Sequence, residues 1–294
     1  MSQAKNRELA LVVTAVILAA FAVVDYYTPF ALRGQNDWLQ ALAFGACIAQ
    51  VTLIATWAVI APGNIVVRLP WSLLLGLMTW YILAFGEQKA VGIRFQPRDV
   101  FILGLVLLLG VTVLQIPLWI AKRAYRYRML VPGEVPTPAG REPVQFQLKH
   151  LIIGTFFLSV ALSPIRRVLP KENVGALMPD HELLVLIPAV IIVNLVATLP
   201  CLWGGFVSAR RAWWLAIAWT GYSFGVTVVE FAILCKVLGD PHNTNTFWLI
   251  YLMNVTQGFV VFAVMRIYRA IGYSLQRIPR GVSEGGVECH SPAS

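Results

Sequence analysis

A stretch without a single charged residue decides the class of fold: WLQALAFGACIAQVTLIATWAVIAP, residues 38–62. A helix crosses the hydrocarbon core of a lipid bilayer with about 20 predominantly apolar residues. The quoted stretch exceeds that length, and its polar side chains are neutral amides, hydroxyls and a thiol. Residues 38–62 are therefore predicted to form a transmembrane helix.

The rest of the chain has the composition of a multi-pass membrane protein. Hydrophobic residues make up 58% of the 294 residues and charged residues 13%, whereas soluble domains have about 45–50% and about 25%. So few charges could not cover the surface of a soluble domain. The high hydrophobic content also excludes intrinsic disorder and a disulfide-rich scaffold.

The formal net charge of +9 is explained by the membrane rather than by nucleic acid. Basic residues occur mainly in short segments beside apolar stretches, where they direct insertion and contact anionic head groups. With the N-terminus in the cytoplasm, fifteen of the 23 lysines and arginines lie on the cytoplasmic side and eight on the outer side. The positive-inside rule therefore predicts that both termini are cytoplasmic.

Eight segments are long and apolar enough to cross a bilayer, which predicts an all-α integral membrane bundle of eight transmembrane helices. Their approximate bounds are 9–32, 38–62, 66–86, 100–121, 149–169, 183–206, 212–238 and 246–268. The fifth segment is the weakest, because only 151–165 is uncharged before Arg166 and Arg167. It is expected to be a short span whose arginines reach the interface, or a re-entrant segment.

A basic and Pro-rich segment, 122–148, divides the chain and is expected to be a cytoplasmic linker. The segments on either side of it, 1–121 and 149–272, are predicted to be membrane units of four helices each. The tail 273–294, rich in Gly and Ser, is expected to be disordered. Anionic lipid head groups are the expected partners of the basic residues that open the linker, which are Lys122, Arg123, Arg126 and Arg128.

A weak internal match indicates that the two units are repeats. At an offset of 142 residues, Ala55-Thr56 matches Ala197-Thr198, and Arg68 with Trp71 matches Arg210 with Trp213. Each unit would hold an even number of spans, so the two copies would run parallel, as they do in one class of transporters. Chance similarity between apolar segments is the alternative interpretation.

Three short stretches carry a resemblance to other membrane proteins: FQLKHLI at 146–152, RLPWSLLL at 68–75 and ATLPCLW at 197–203. The first resembles the Phe-Ser-Leu-Arg-x-Leu-Leu pattern that precedes membrane helices in many planctomycete-type multi-pass proteins, although Gln147 replaces the Ser. The layout of most of the chain is similar to that group. The resemblance implies a bacterial inner membrane, and it transfers no catalytic or binding residue.

Three carboxyl groups lie within or at the ends of predicted spans, where burying a charge is costly. They are Asp25, Glu87 and Glu230, and the rise of about 1.5 Å per helical residue puts each near the outer end of an outward-running span. We expect them to form an outer ionic cluster with Arg166 and Arg167. A binding site for a solute or a proton is the alternative.

Neutral polar residues occupy the predicted midplane of the membrane. The candidates there are Gln50, Asn194, Asn254 and Gln257. Amides in lipid must find partners, and hydrogen bonds between helices are the usual solution. A neutral polar pathway is the alternative. A GxxxG pair at Gly221 and Gly225 predicts close packing of the seventh span.

The chain has no sequence motif for a nucleotide, a metal or a hydrolase triad. We therefore expect no cofactor and no enzymatic activity. Membrane lipids are the expected partners, and the sequence indicates neither nucleic acid nor a particular protein. The first functional prediction is a non-enzymatic role in packing, scaffolding or sensing in the membrane. The alternative is a small-solute carrier or channel with a midplane polar pathway.

Overall fold

A computed structural model describes most of the chain outside the linker and the fifth predicted span. The described residues are 3–33, 36–62, 65–91, 97–125, 127–131, 193–194, 196–238 and 244–277. The fifth predicted span, 149–169, lies outside them, as does the sixth up to residue 192. The eight-helix bundle and the parallel repeat therefore stay predictions.

Within the described residues, six long helices are apolar enough to cross a membrane. They are α1 (Gln3–Arg33), α2 (Asp37–Ile60), α3 (Ile65–Val91), α4 (Pro97–Tyr125), α5 (Ala209–Leu238) and α6 (Thr244–Ala270). Residues 196–204 form a further helical segment before α5. The protein is thus a mostly helical, multi-pass membrane protein.

The described helices alternate in direction through the bundle. Lys122, in the last turn of α4, hydrogen-bonds the carbonyl of Val59 in the last turn of α2. Thr14, in the first half of α1, hydrogen-bonds Tyr268 near the end of α6 at 2.9 Å. α2, α4 and α6 therefore end at one face, where α1 begins. The assignment of this face to the cytoplasm remains a prediction.

Helix α2 lies at the centre of the described bundle and packs against α1, α3, α4 and α6. Small residues of α2, among them Ala49, Ala55 and Ala58, allow it to occupy the centre because they let the backbones of neighbouring helices come close. At Gly45 a Cβ atom would lie 2.5 Å from the carbonyl oxygen of Met253 and 2.8 Å from Cβ of Thr256. The absence of a side chain there is what allows α2 and α6 to meet.

A two-stranded antiparallel ribbon joins the ends of α4 and α6. β1 (Tyr127–Leu130) pairs with β2 (Ser274–Arg277), with Tyr127 opposite Arg277 and Leu130 opposite Ser274. Gly272, at φ 98°, terminates α6 and turns the chain towards β2. Both helices end at the same face, so the residues that follow them emerge close together and can satisfy each other's backbone groups.

The ribbon corrects two expectations from the sequence. The linker was expected to begin at residue 122, but α4 continues to Tyr125 and β1 follows. The expectation of disorder from residue 273 is wrong for 274–277. Local composition cannot predict a pairing that depends on where two distant helices end. Residues 132–148 and 278–294 lie outside the described part of the chain.

Candidate functional site

Four buried side-chain amides in the described bundle each donate a hydrogen bond to a hydroxyl group on a neighbouring helix. Every pair is buried, and together the pairs link α2 to α3, α2 to α6, α3 to α4 and α5 to α6. The donor–acceptor distances are 2.8 Å for Gln50 Nε2 to Thr79 Oγ1, 3.3 Å for Gln257 Nε2 to Thr52 Oγ1, 3.4 Å for Gln115 Nε2 to Ser72 Oγ and 3.0 Å for Asn254 Nδ2 to Thr227 Oγ1.

The hydroxyl groups determine how the amides are oriented. Each hydroxyl donates its single hydrogen to a carbonyl of its own helix, as Thr52 does to Ile48 at 3.0 Å and Thr227 to Ser223 at 2.8 Å. Thr79 and Ser72 do the same. A hydroxyl that has used its hydrogen can only accept. The amide nitrogen, and not the amide oxygen, must therefore face it.

This orientation leaves amide oxygens in the interior with nothing to accept from. Among the described residues, Oε1 of Gln50, Oδ1 of Asn254 and Oε1 of Gln257 are buried and have no hydrogen-bond partner. Leaving a buried acceptor unsatisfied costs about 1–3 kcal/mol. Among the buried side-chain atoms of the described residues that lack a hydrogen-bond partner, acceptors outnumber donors.

Two of the predicted carboxyl residues are buried between the described helices. Asp25 is 0% exposed, and its Oδ1 accepts from Sγ of Cys47 at 3.5 Å. Glu230 is 7% exposed, and its Oε2 accepts from Nδ2 of Asn254 at 2.5 Å. Oδ2 of Asp25 and Oε1 of Glu230 have no hydrogen-bond partner in the described chain. Both groups increase the surplus of acceptors.

The helical faces explain the burial of these carboxyls. Phe21, Asp25 and Thr28 follow each other at intervals of four and three residues, so they share the face of α1 that packs inward. Ser223, Thr227 and Glu230 repeat that spacing on α5 and are equally buried. The depth of a residue along a span does not specify the helix face on which it lies, so the contacts that bury these carboxyls could not be predicted from the sequence.

The described residues include only part of the predicted outer ionic cluster. Glu87 is half-buried near the end of α3. The expected partners Arg166 and Arg167 lie outside the described residues. Asp25 contacts the thiol of Cys47, which connects α1 to α2. Glu230 contacts the amide of Asn254, which connects α5 to α6.

The fourth predicted midplane residue, Asn194, is also buried. Its backbone carbonyl accepts from Oγ1 of Thr198 at 3.0 Å. Thr79, Gln115, Ser72 and Ser223 were not predicted from the sequence to belong to this set of buried polar residues. For Ser223 the signal was available, since it precedes Thr227 and Glu230 with helical spacing.

Two basic side chains donate hydrogen bonds to backbone carbonyls at the C-terminal end of α2. Nζ of Lys122 donates to the carbonyl of Val59 at 2.6 Å and lies 4.9 Å from the ring centroid of Trp119. Arg68 is buried and donates to the carbonyls of Trp57 and Ala61. Cations at a helix C-terminus also interact favourably with the helix dipole.

These contacts change the interpretation of the predicted lipid-binding residues. Lys122, expected at the lipid head groups, is engaged by α2. Arg123, the next residue, is exposed and remains a candidate for head-group contact. Arg126 and the side chain of Arg128 lie outside the described residues.

A cavity of about 380 Å³ opens between the 196–204 segment, α5 and α6. Its walls are almost entirely apolar and include Pro200, Trp219, Phe259 and Phe262. Neither Asn194 nor Asn254 is among the described residues that line it. It therefore gives no polar route to the buried amides.

Comparison with protein-family models, curated proteins and solved structures finds no match to this chain.

The network makes a prediction for Thr52. We expect Thr52→Val, which keeps the shape of the side chain, to lower the free energy of unfolding by about 1–3 kcal/mol, because Nε2 of Gln257 loses its acceptor. Thr112→Val is the matched control, since Thr112 is exposed and bonds the carbonyl of Leu108 in its own helix. The control is expected to change stability by less than about 0.5 kcal/mol. Denaturant unfolding in detergent measures both, and equal losses would contradict a specific role for the pair.

Proposed function

We propose that this is a non-enzymatic, multi-pass membrane protein that admits a small polar solute into its helix bundle, in the manner of a carrier or channel. The surplus of buried acceptors supports this proposal. Asp25 and Glu230 are ionisable groups within spans, and such residues mark solute or ion pathways because lipid burial makes them costly to keep.

The arrangement of these acceptors fits a pathway better than isolated packing contacts. Polar side chains connect α1 to α2 through Asp25 and Cys47, and α2 to α6 through Thr52 and Gln257. They continue from α6 to α5 through Asn254 to Glu230. A solute that donates hydrogen bonds or carries positive charge would compensate the unsatisfied oxygens along this route.

A role in packing, scaffolding or sensing is the second candidate. It is favoured by the amide nitrogens, which already bond between helices, and by the apolar walls of the cavity. In this case the unsatisfied oxygens would be an energetic burden that the rest of the bundle offsets.

The proposed setting is the inner membrane of a bacterium, with both termini in the cytoplasm. The excess of basic residues on one side and the resemblance to planctomycete-type membrane proteins support it. Anionic head groups at the cytoplasmic face are the proposed partners of exposed basic residues such as Arg123. The lack of any catalytic motif in the sequence supports a non-enzymatic role.

Thiol labelling separates the two candidates. The four native cysteines are first replaced, Cys47 by Ser so that a donor to Asp25 is kept. Ser223→Cys then tests the polar route, and Ala55→Cys tests the apolar core. Both positions are 0% exposed, so burial is matched. We expect a small charged methanethiosulfonate, added to native membranes, to modify Ser223→Cys faster than Ala55→Cys. Equal rates at the two positions would contradict an interior that admits polar solutes.

A further inference from the structure

The contact between α5 and α6 contains a set of facing polar residues, which we call the polar seam. It consists of Ser223, Thr227 and Glu230 on α5 and Asn254 and Gln257 on α6. All five are more than nine-tenths buried. The spacing of four and three residues on α5, and of three on α6, aligns them along the two facing helix surfaces.

Oxygen atoms dominate the unsatisfied groups of the polar seam. In the described chain, four of them are buried without a hydrogen-bond partner: Oγ of Ser223, Oε1 of Glu230, Oδ1 of Asn254 and Oε1 of Gln257. Nδ2 of Asn254 is already shared between Thr227 and Glu230, and Nε2 of Gln257 is directed to Thr52. Both amide nitrogens are therefore already used, and the hydroxyl of Ser223 is the one side-chain donor of the polar seam left uncommitted in the described chain.

We propose that the polar seam binds a small monovalent cation of the sodium type. The carboxylate of Glu230 supplies the negative charge, and the oxygens of Ser223, Asn254 and Gln257 complete the coordination. This inference rests on the proposed function, since it names the solute that the bundle admits.

The chemistry of the ligands selects the kind of cation. Hard cations are bound by carboxylate, amide and hydroxyl oxygens. Divalent cations are typically held by several carboxylates, whereas Glu230 is the single carboxylate of the polar seam. The single negative charge of Glu230 balances the charge of a monovalent cation, and the three neutral oxygens add no further charge.

Two alternatives, a proton on Glu230 and neutralisation by Lys236, account for fewer of the unsatisfied oxygens. A proton on Glu230 would neutralise the carboxyl and let it donate one hydrogen bond to a single further oxygen. A cation contacts several oxygens at once. Neutralisation by the cation of Lys236 does not fit either, because Lys236 is exposed near the end of α5.

Binding of radioactive sodium to the purified full-length protein in detergent tests the proposal. We expect saturable binding of ²²Na⁺ that unlabelled sodium displaces and choline does not. Glu230→Gln is expected to weaken binding by roughly tenfold or more, because it removes the charge of the site. Glu87→Gln is the matched control, since it makes the same chemical change near the end of α3, outside the polar seam and the polar route, and is expected to keep wild-type affinity.

A second variant keeps the test decisive if Glu230→Gln does not fold, as judged by its size-exclusion profile. Ser223→Ala suits a helix interior, and we expect it to weaken sodium binding several-fold. Sodium is also expected to raise the unfolding temperature of the wild-type protein relative to choline at equal ionic strength.

Several results would overturn the cation site. These are a folded wild-type protein that does not bind sodium, equal losses in Glu230→Gln and Glu87→Gln, and stability that responds to pH but not to sodium. If sodium does not bind while Ser223→Cys is still labelled from water, the polar seam takes another solute and the proposed function stands. If both tests fail, the proposed function falls with the inference.

Discussion

Gly45→Ala is expected to destabilise the protein by about 2–3 kcal/mol, because a single added methyl group overpacks the contact between α2 and α6. The new Cβ would lie 2.5 Å from a backbone oxygen of Met253. A backbone group cannot rotate away as a side chain can, so one helix must shift relative to the other. α2 also packs on α1, α3 and α4, and that shift disturbs the centre of the described bundle. Denaturant unfolding in detergent measures the change.

Gly221→Ala is the matched control, with the same chemical change on another spanning helix. A Cβ atom at Gly221 would meet no described atom within 4 Å. Its expected effect is a stabilisation of about 0.5–1 kcal/mol, because Ala loses less backbone entropy in a helix than Gly does. The two substitutions should therefore have opposite signs. A loss of stability at Gly221 similar to that at Gly45 would show that close packing of α2 against α6 is not the cause of the Gly45 effect.

Asn254→Leu is expected to produce the largest loss of stability in the polar network, about 3–5 kcal/mol, because it leaves a buried carboxyl without its donor. Asn254 supplies the hydrogen bond to Oε2 of Glu230 and a second one to Thr227. Leucine has the same number of side-chain heavy atoms in the same branched arrangement, so the substitution leaves no cavity and the loss reports the missing polar contact. Unfolding is measured in sodium-free buffer, so that a bound cation cannot compensate.

The double variant Asn254→Leu with Glu230→Met checks the cause. Removing the carboxyl as well takes away the uncompensated group, so most of the lost stability is expected to return. The energies of the two single variants would then be strongly non-additive. Additive losses would instead mean that Asn254 and Glu230 act independently, in contradiction to the 2.5 Å hydrogen bond between them.

The sequence predicts the described spans well, because length and lack of charge are local properties. The uncharged residues of 38–62 indicate α2 to within a few positions of its ends. Alternating direction follows from the succession of spans. Hydrogen bonds between helices were predicted for Gln50, Asn254 and Gln257, since amides in lipid need partners, and the described contacts contain them.

Partners across helices are what the sequence could not specify. Gln50 bonds Thr79 of α3, and no spacing along the chain relates these two residues. For Asp25 and Glu230 the depth along the span was estimated but not the helix face, so their burial against neighbouring helices could not be predicted. Packing glycines show the same limit. The GxxxG pair at Gly221 and Gly225 is conspicuous but open within the described residues, whereas an isolated glycine such as Gly45 makes a close contact.

The ribbon of β1 and β2 has a mechanical consequence for the bundle. Strands pair in discrete steps of about 3.4 Å, and a slip by one residue reverses the direction of every side chain. Leu130 is 2% exposed, so such a slip would drive it out of the interior. The ribbon therefore resists piston-like sliding of α6 against α4 and permits tilting about their joined ends. Relative motion of these two helices then has its pivot at the ribbon and its greatest amplitude at the opposite face.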